Sequence, residues 1–162
     1  MGKRALSTMK ALKDLRELRE RRTYEALLRD HSAANRARAH VADLENRIDA
    51  ERADAERSED EALAAAIGHS MSPSDLSRLQ AMAAGGHKKA ALLGENLAQA
   101  TAMQEEARAT LDKSREAYRA DLKAFRKIEA ASDEAHRKAI RRQQAVDELL
   151  SEEDGSGGVT GT

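Results

Sequence analysis

Residues 67–76, IGHSMSPSDL, hold the only proline of the 162-residue chain, Pro73. On either side the chain is polar and alanine-rich and has no other obvious stop. The stretch supplies a helix end and a helix start together. Gly68 suits the position just past a helix C-terminus, where left-handed backbone is needed and a residue without a Cβ takes it freely. Ser72, Pro73 and Asp75 suit the next N-terminus: a capping hydroxyl, a ring that presets the first helical turn, and an acid against the positive helix end. A kink in one continuous helix would not need both signals, so residues 67–76 are read as a break between two helices.

The composition says what kind of helices these are. Three aromatic residues (Tyr24, Tyr118, Phe125), no Trp and 33 alanines cannot fill a thick core. Ala, Glu, Lys, Leu and Arg at helical periodicity read as long helix or coiled coil, whereas a disordered chain would be rich in Pro and Gly. The first helix is expected over about 4–67. Its apolar positions step in threes and fours through Leu15, Leu18, Leu27, His31, Ala34, Ala37, Val41, Leu44 and Ile48, and more weakly Ala55, Ala62 and Ala66. This is the width of a coiled-coil seam. Acid-before-base pairs four residues apart, Glu17 with Arg21, Glu25 with Arg29 and Asp43 with Arg47, support the helix on exposed faces.

After a loop over 68–74, the second helix is expected over about 75–150, with a seven-residue repeat that never slips. One seam row runs Leu76, Ala83, Ala90, Leu97, Gln104, Leu111, Tyr118, Phe125, Ser132, Ala139 and Val146. The other runs Leu79, Gly86, Leu93, Ala100, Ala107, Ser114, Asp121, Ile128, Ala135, Arg142 and Leu149. Gly85-Gly86 is the weak point of this helix and leaves open whether it breaks there. The glycine-rich residues 155–162 are expected to be a disordered tail.

A loop centred near residue 71 makes an antiparallel hairpin whose paired residue numbers sum to about 142. Tyr24 then faces Tyr118, Val41 faces Thr101, Ile48 faces Gly94, and Leu15 and Leu18 approach Phe125 and Ile128. The fold class is therefore all-α: two long helices forming one antiparallel coiled-coil hairpin over 1–154. Collecting the few large side chains favours this over an extended arrangement, because buried aromatics contribute most per residue.

The hairpin also sorts charge, which the net value of -1 conceals. Residues 3–22 carry eight basic against three acidic residues, 123–142 carry seven against three, and 43–61 carry nine acidic against three basic. Folding at residue 71 brings the two basic stretches to one end. Like charges gathered there point to an acidic partner that relieves their repulsion, weighed against plain solvation of an exposed helix pair.

Chemistry-bearing motifs occur only as fragments. Asp133 to His136 spells DEAH, but that motif needs a preceding hydrophobic strand and a separate phosphate loop. GGHKK at 85–89 has neither a strand before it nor Ser or Thr after the lysine. The five histidines form no metal-spaced set. The chain is thus read as a non-enzyme with no cofactor and no metal. Nucleic acid is not expected, because acids interleave the basic residues and no aromatic platform accompanies them. Without cysteine it has no disulfides, and no run approaches the 18 apolar residues of a membrane span. The first residues lack the apolar core of a signal peptide, and Leu6 breaks the myristoylation pattern.

A cysteine-free, highly charged chain that opens on ALSTMKALKDLRELRERRTYEALL (residues 5–28), turns once near its middle and returns as a long charged helix resembles the YscO/FliJ group. These are stalk proteins of bacterial type III secretion and flagellar export. The resemblance is architectural, covers residues 3–154 and carries no diagnostic motif. It implies a cytoplasmic antiparallel coiled coil, peripheral at the inner-membrane secretion apparatus. Its end carrying both termini would enter a hexameric export ATPase and contact the export gate protein, and some members bind secretion chaperones. Charge and hairpin geometry, rather than the resemblance, choose the partner-binding residues: Lys3, Arg4, Lys10, Lys13, Arg16, Arg19, Arg21 and Arg22, with Arg137, Lys138, Arg141 and Arg142. The alternative reading is an unrelated coiled-coil scaffold or adaptor.

Overall fold

A computed structural model describes residues 2–156, with side chains from residue 4 to residue 153. It contains two helices, α1 (Gly2–Ala66) and α2 (Pro73–Ser156), packed against each other as an all-α hairpin. Gly68 has φ of 89°, the left-handed conformation that ends α1, and among the described residues no other takes a positive φ. Ser72 caps α2 reciprocally with Asp75. The Asp75 backbone N–H donates to Ser72 Oγ at 3.3 Å, and the Ser72 N–H donates to Asp75 Oδ2 at 3.3 Å. Two of the amides that a helix start leaves without partners are thereby satisfied.

The helices run longer than the sequence suggests at one point. α2 continues past residue 150 and takes Gly155 and Ser156 out of the expected tail, while residues 157–162 lie outside the described residues. α2 is also unbroken through Gly85-Gly86. At Gly86 a Cβ would lie 4.0 Å from the Ala55 Cβ, so two small residues let the backbones approach closely here.

Packing divides the chain into two compact units, Leu28–Lys113 on one hand and Met1–Leu27 with Ser114–Thr162 on the other. The first, the turn-containing unit, holds every buried residue among those described: Val41, Leu44, Ile48, Ala100 and Leu111. Leu93 and Leu97 pack against the cluster of Val41, Leu44 and Ala100. Thr101 fits beside them because its hydroxyl donates to the Leu97 carbonyl at 2.8 Å. On α2 the shielded positions step through residues 79, 83, 86, 90, 93, 97, 100, 104, 107 and 111, the expected repeat.

In the second unit the two helices are paired by Tyr24 against Tyr118, ring centroids 5.5 Å apart, and by Lys13 Nζ to Glu129 Oε1 at 3.6 Å. Both pairs sum to 142, the register expected from a turn near residue 71. The α2 seam continues in phase through Ser114, Tyr118, Asp121, Phe125, Ile128, Ser132, Ala135 and Ala139, all half-buried. Phe125 shares this unit but not the ring pair.

On α1 the expected stripe needs correction. Stepping back from Val41 in strict threes and fours lands on Ala37, Ala34, Asp30, Leu27, Thr23, Glu20, Arg16, Lys13, Met9 and Leu6, all shielded, with Glu17, Ala26 and Ala33 half-buried beside them. Leu15 and Leu18, at 45% and 46% exposure, and His31 lie off that phase and face solvent. Apolar type alone suggested them, but the helical period decides which side chains meet α2. The α2 seam likewise fades at both ends: Leu76, Arg142, Val146 and Leu149 are exposed. Of the three expected i,i+4 ion pairs, Glu17 with Arg21 forms at 2.6 Å, whereas Glu25–Arg29 and Asp43–Arg47 do not close.

Candidate functional site

The unit containing residues 4–27 and 114–153 has a polar seam on α1. Lys13, Arg16, Glu20 and Thr23 occupy four successive seam positions where coiled coils usually bury apolar residues. Each keeps a route to a partner or to water. Lys13 reaches Glu129, and the Thr23 hydroxyl donates to the carbonyls of Arg19 at 3.1 Å and Glu20 at 3.0 Å. No buried side-chain nitrogen or oxygen among the described residues lacks a partner. The cost is a seam without a buried residue.

Electrostatics at the ring pair follow from this. Partial burial, and then the Glu20 carboxylate beside the phenol, push Tyr118 above the usual tyrosine value of 10.0. A hydrogen bond to Glu20 and the neighbouring Tyr24 act in the same direction, and Arg126 acts against them. A phenolate forming against a carboxylate in a partly dry seam is disfavoured on both counts.

The eleven sequence-derived partner residues whose side chains are described fall into three groups. Arg4, Lys10, Arg19, Arg22, Arg137, Arg141 and Arg142 are exposed, and no ion pair holds them among the described residues. Lys13, Arg21 and Lys138 are already engaged, with Glu129, with Glu17 and with Glu134 respectively. The Lys138 ammonium, hydrogen-bonded 2.7 Å away, holds the Glu134 carboxyl below its usual value of 4.5. Arg16 is half-buried in the seam, and the side chain of Lys3 lies outside the described residues. All eleven described positions belong to the same compact unit.

One basic group escaped the sequence reading. Arg119, Lys123, Arg126 and Lys127 line a shallow groove of about 490 Å³ on α2, together with Leu122 and Ala130. The signal was available, since cations at i, i+4, i+7 and i+8 share a helix face. It was hidden by counting charge over a long segment instead of around the helix.

Among the described residues there is no group of three or more side chains that could hold a metal ion, and no helix is long and apolar enough to cross a membrane. Comparison with protein-family models, with curated proteins and with solved structures gave no match to this chain.

Proposed function

We propose that the protein is a stalk component of a bacterial type III secretion or flagellar export apparatus, similar to the YscO/FliJ group. In this reading it acts in the cytoplasm at the inner-membrane machinery. It binds a hexameric export ATPase through the nominated basic residues of its termini-containing unit, links the ring to the export gate protein, and also binds secretion chaperones. It carries out no reaction itself. It biases the ATPase by binding some subunit states better than others, which is the only way a ligand can shift such an equilibrium.

The observation that carries the proposal is the pairing of Tyr24 with Tyr118 and of Lys13 with Glu129. That register brings the basic residues of 4–22 beside those of 123–142 in one unit. Seven of the nominated cations are exposed there, and none of the seven forms an ion pair among the described residues. A cluster of exposed like charges speeds and orients docking onto an acidic surface more than it stabilises the helix pair.

The test is a pull-down and ATPase-stimulation assay with the cognate hexameric ATPase. Wild type is compared with charge reversals at Arg19, Arg22, Arg141 and Arg142, which leave the Lys13, Arg21 and Lys138 ion pairs intact. Binding and stimulation that fall as salt rises and are lost in the reversals are expected. Failure of the wild-type protein to bind at low salt removes the stalk reading and leaves a scaffold or adaptor.

A further inference from the structure

None of the nominated cations lines the groove on α2, and its reading does not depend on the stalk proposal. Arg119, Lys123, Arg126 and Lys127 are exposed, and none forms an ion pair among the described residues. Their spacing places like charges against one another: 119 with 123 and 123 with 127 at four residues, 123 with 126 at three. Each such pair weakens a helix. Elsewhere in this unit Lys13, Arg21 and Lys138 are each answered by a carboxylate.

We propose that this face docks an acidic amphipathic helix of a partner protein. The four cations span two helical turns, about 12 Å at the ~1.5 Å rise per residue. A second straight helix with carboxylates at i, i+4 and i+7 presents the matching row over the same distance. Leu122, half-buried, lies within the row of cations and Ala130 just past its end, so the partner helix needs leucine or alanine beside its acids. That combination of apolar anchors and opposing charge is helix-in-groove recognition. Single-stranded nucleic acid would need stacking platforms, and no aromatic residue lines this groove. Tyr118 lies against Tyr24, and Phe125 occupies a seam position.

The probe is a fluorescent helical peptide of three Glu-Leu-Ala-Ala-Glu-Ala-Leu repeats, titrated by anisotropy with the full-length protein. Binding should weaken by about tenfold or more when Arg119, Lys123, Arg126 and Lys127 all become Gln, a strong helix former, and severalfold in Leu122→Ala. The Arg19→Glu, Arg22→Glu protein should bind the peptide as wild type does, which separates this surface from the proposed ATPase contact. If the fourfold variant fails to fold by circular dichroism, the pair Lys123→Gln with Lys127→Gln serves instead. Peptide binding that is absent, or unchanged in these groove variants, overturns the proposal. So does loss of peptide binding in the Arg19→Glu, Arg22→Glu protein. Three other outcomes assign the face to a different occupant and equally overturn it. These are tighter, groove-dependent binding of a single-stranded oligonucleotide, the same preference for phosphatidylserine vesicles, or a salt-sensitive dimer by sedimentation that the groove variants abolish.

Discussion

Leu44 and Leu18 are both leucines on α1, and residue type alone assigns both to the seam. The structure separates them, with Leu44 only 3% exposed and Leu18 46% exposed. Leu44→Ala removes a side chain packed with Val41 and Ala100 and flanked by Leu93 and Leu97. Replacing a buried leucine by alanine costs about 2–5 kcal/mol, depending on how far the site collapses. Two helices enclose a site from fewer sides than a globular core, and water can enter it, so about 2–3 kcal/mol is expected, at the low end of that range. Leu18→Ala changes an outward-facing position and should stay within about 0.5 kcal/mol, as ordinary surface substitutions do. The difference of at least about 1.4 kcal/mol is tenfold or more in the folding equilibrium. Urea unfolding followed by helix ellipticity reads it directly, with both variants measured against wild type. Equal midpoints for the two variants would refute the assignment of the seam phase.

Glycines give a second contrast. Gly68→Ala forces a Cβ into left-handed backbone and should destabilise by roughly 1–2 kcal/mol, whereas Gly85→Ala, with open space around its Cβ, should stabilise by about 0.5–1 kcal/mol in thermal melts. Hydrogen exchange should show slower amides around residues 41–48 and 93–111 than around 13–23 and 118–132, because buried side chains are confined to the first set; equal protection would contradict the polar-seam argument. In Tyr24→Phe, where Tyr118 is the remaining tyrosine, absorbance should show phenol ionisation above pH 10, and adding Glu20→Gln should lower that midpoint. Because the folded form holds this proton more tightly than the unfolded one, its contribution to stability is present below pH 10 and is lost as pH rises through the folded value.

The sequence carried the fold in its punctuation. Gly68, Ser72, Pro73 and Asp75 perform the roles that their chemistry suggests, and one number, the position of the turn, set the register that pairs Tyr24 with Tyr118. The α2 repeat was legible because its Leu, Ala and Ile residues keep phase for ten heptads. On α1 the same reasoning failed where seam positions are filled by Lys13, Arg16, Glu20 and Thr23, whose types say surface and whose spacing says interface. Spacing prevails because a helix cannot rotate a few residues to favour Leu15 and Leu18 without turning Leu27 and Val41 away. The nominated cations were only partly legible for a related reason. Charge is visible in a sequence, but whether Lys13, Arg21 or Lys138 is already satisfied depends on which carboxylate its helix face brings near.

The pair sum shared by Tyr24–Tyr118 and Lys13–Glu129 has a consequence for how this chain can change. Any residue gained or lost in one helix, anywhere between the turn and a given pair, displaces that pair and rotates the rest of the helix by ~100°. Tyr24 would lose Tyr118, and Lys13 would lose Glu129. Tolerated length variants are therefore expected to come as matched sevens, one block from α1 and its counterpart from α2, so that each helix acts as a template for the permitted lengths of the other.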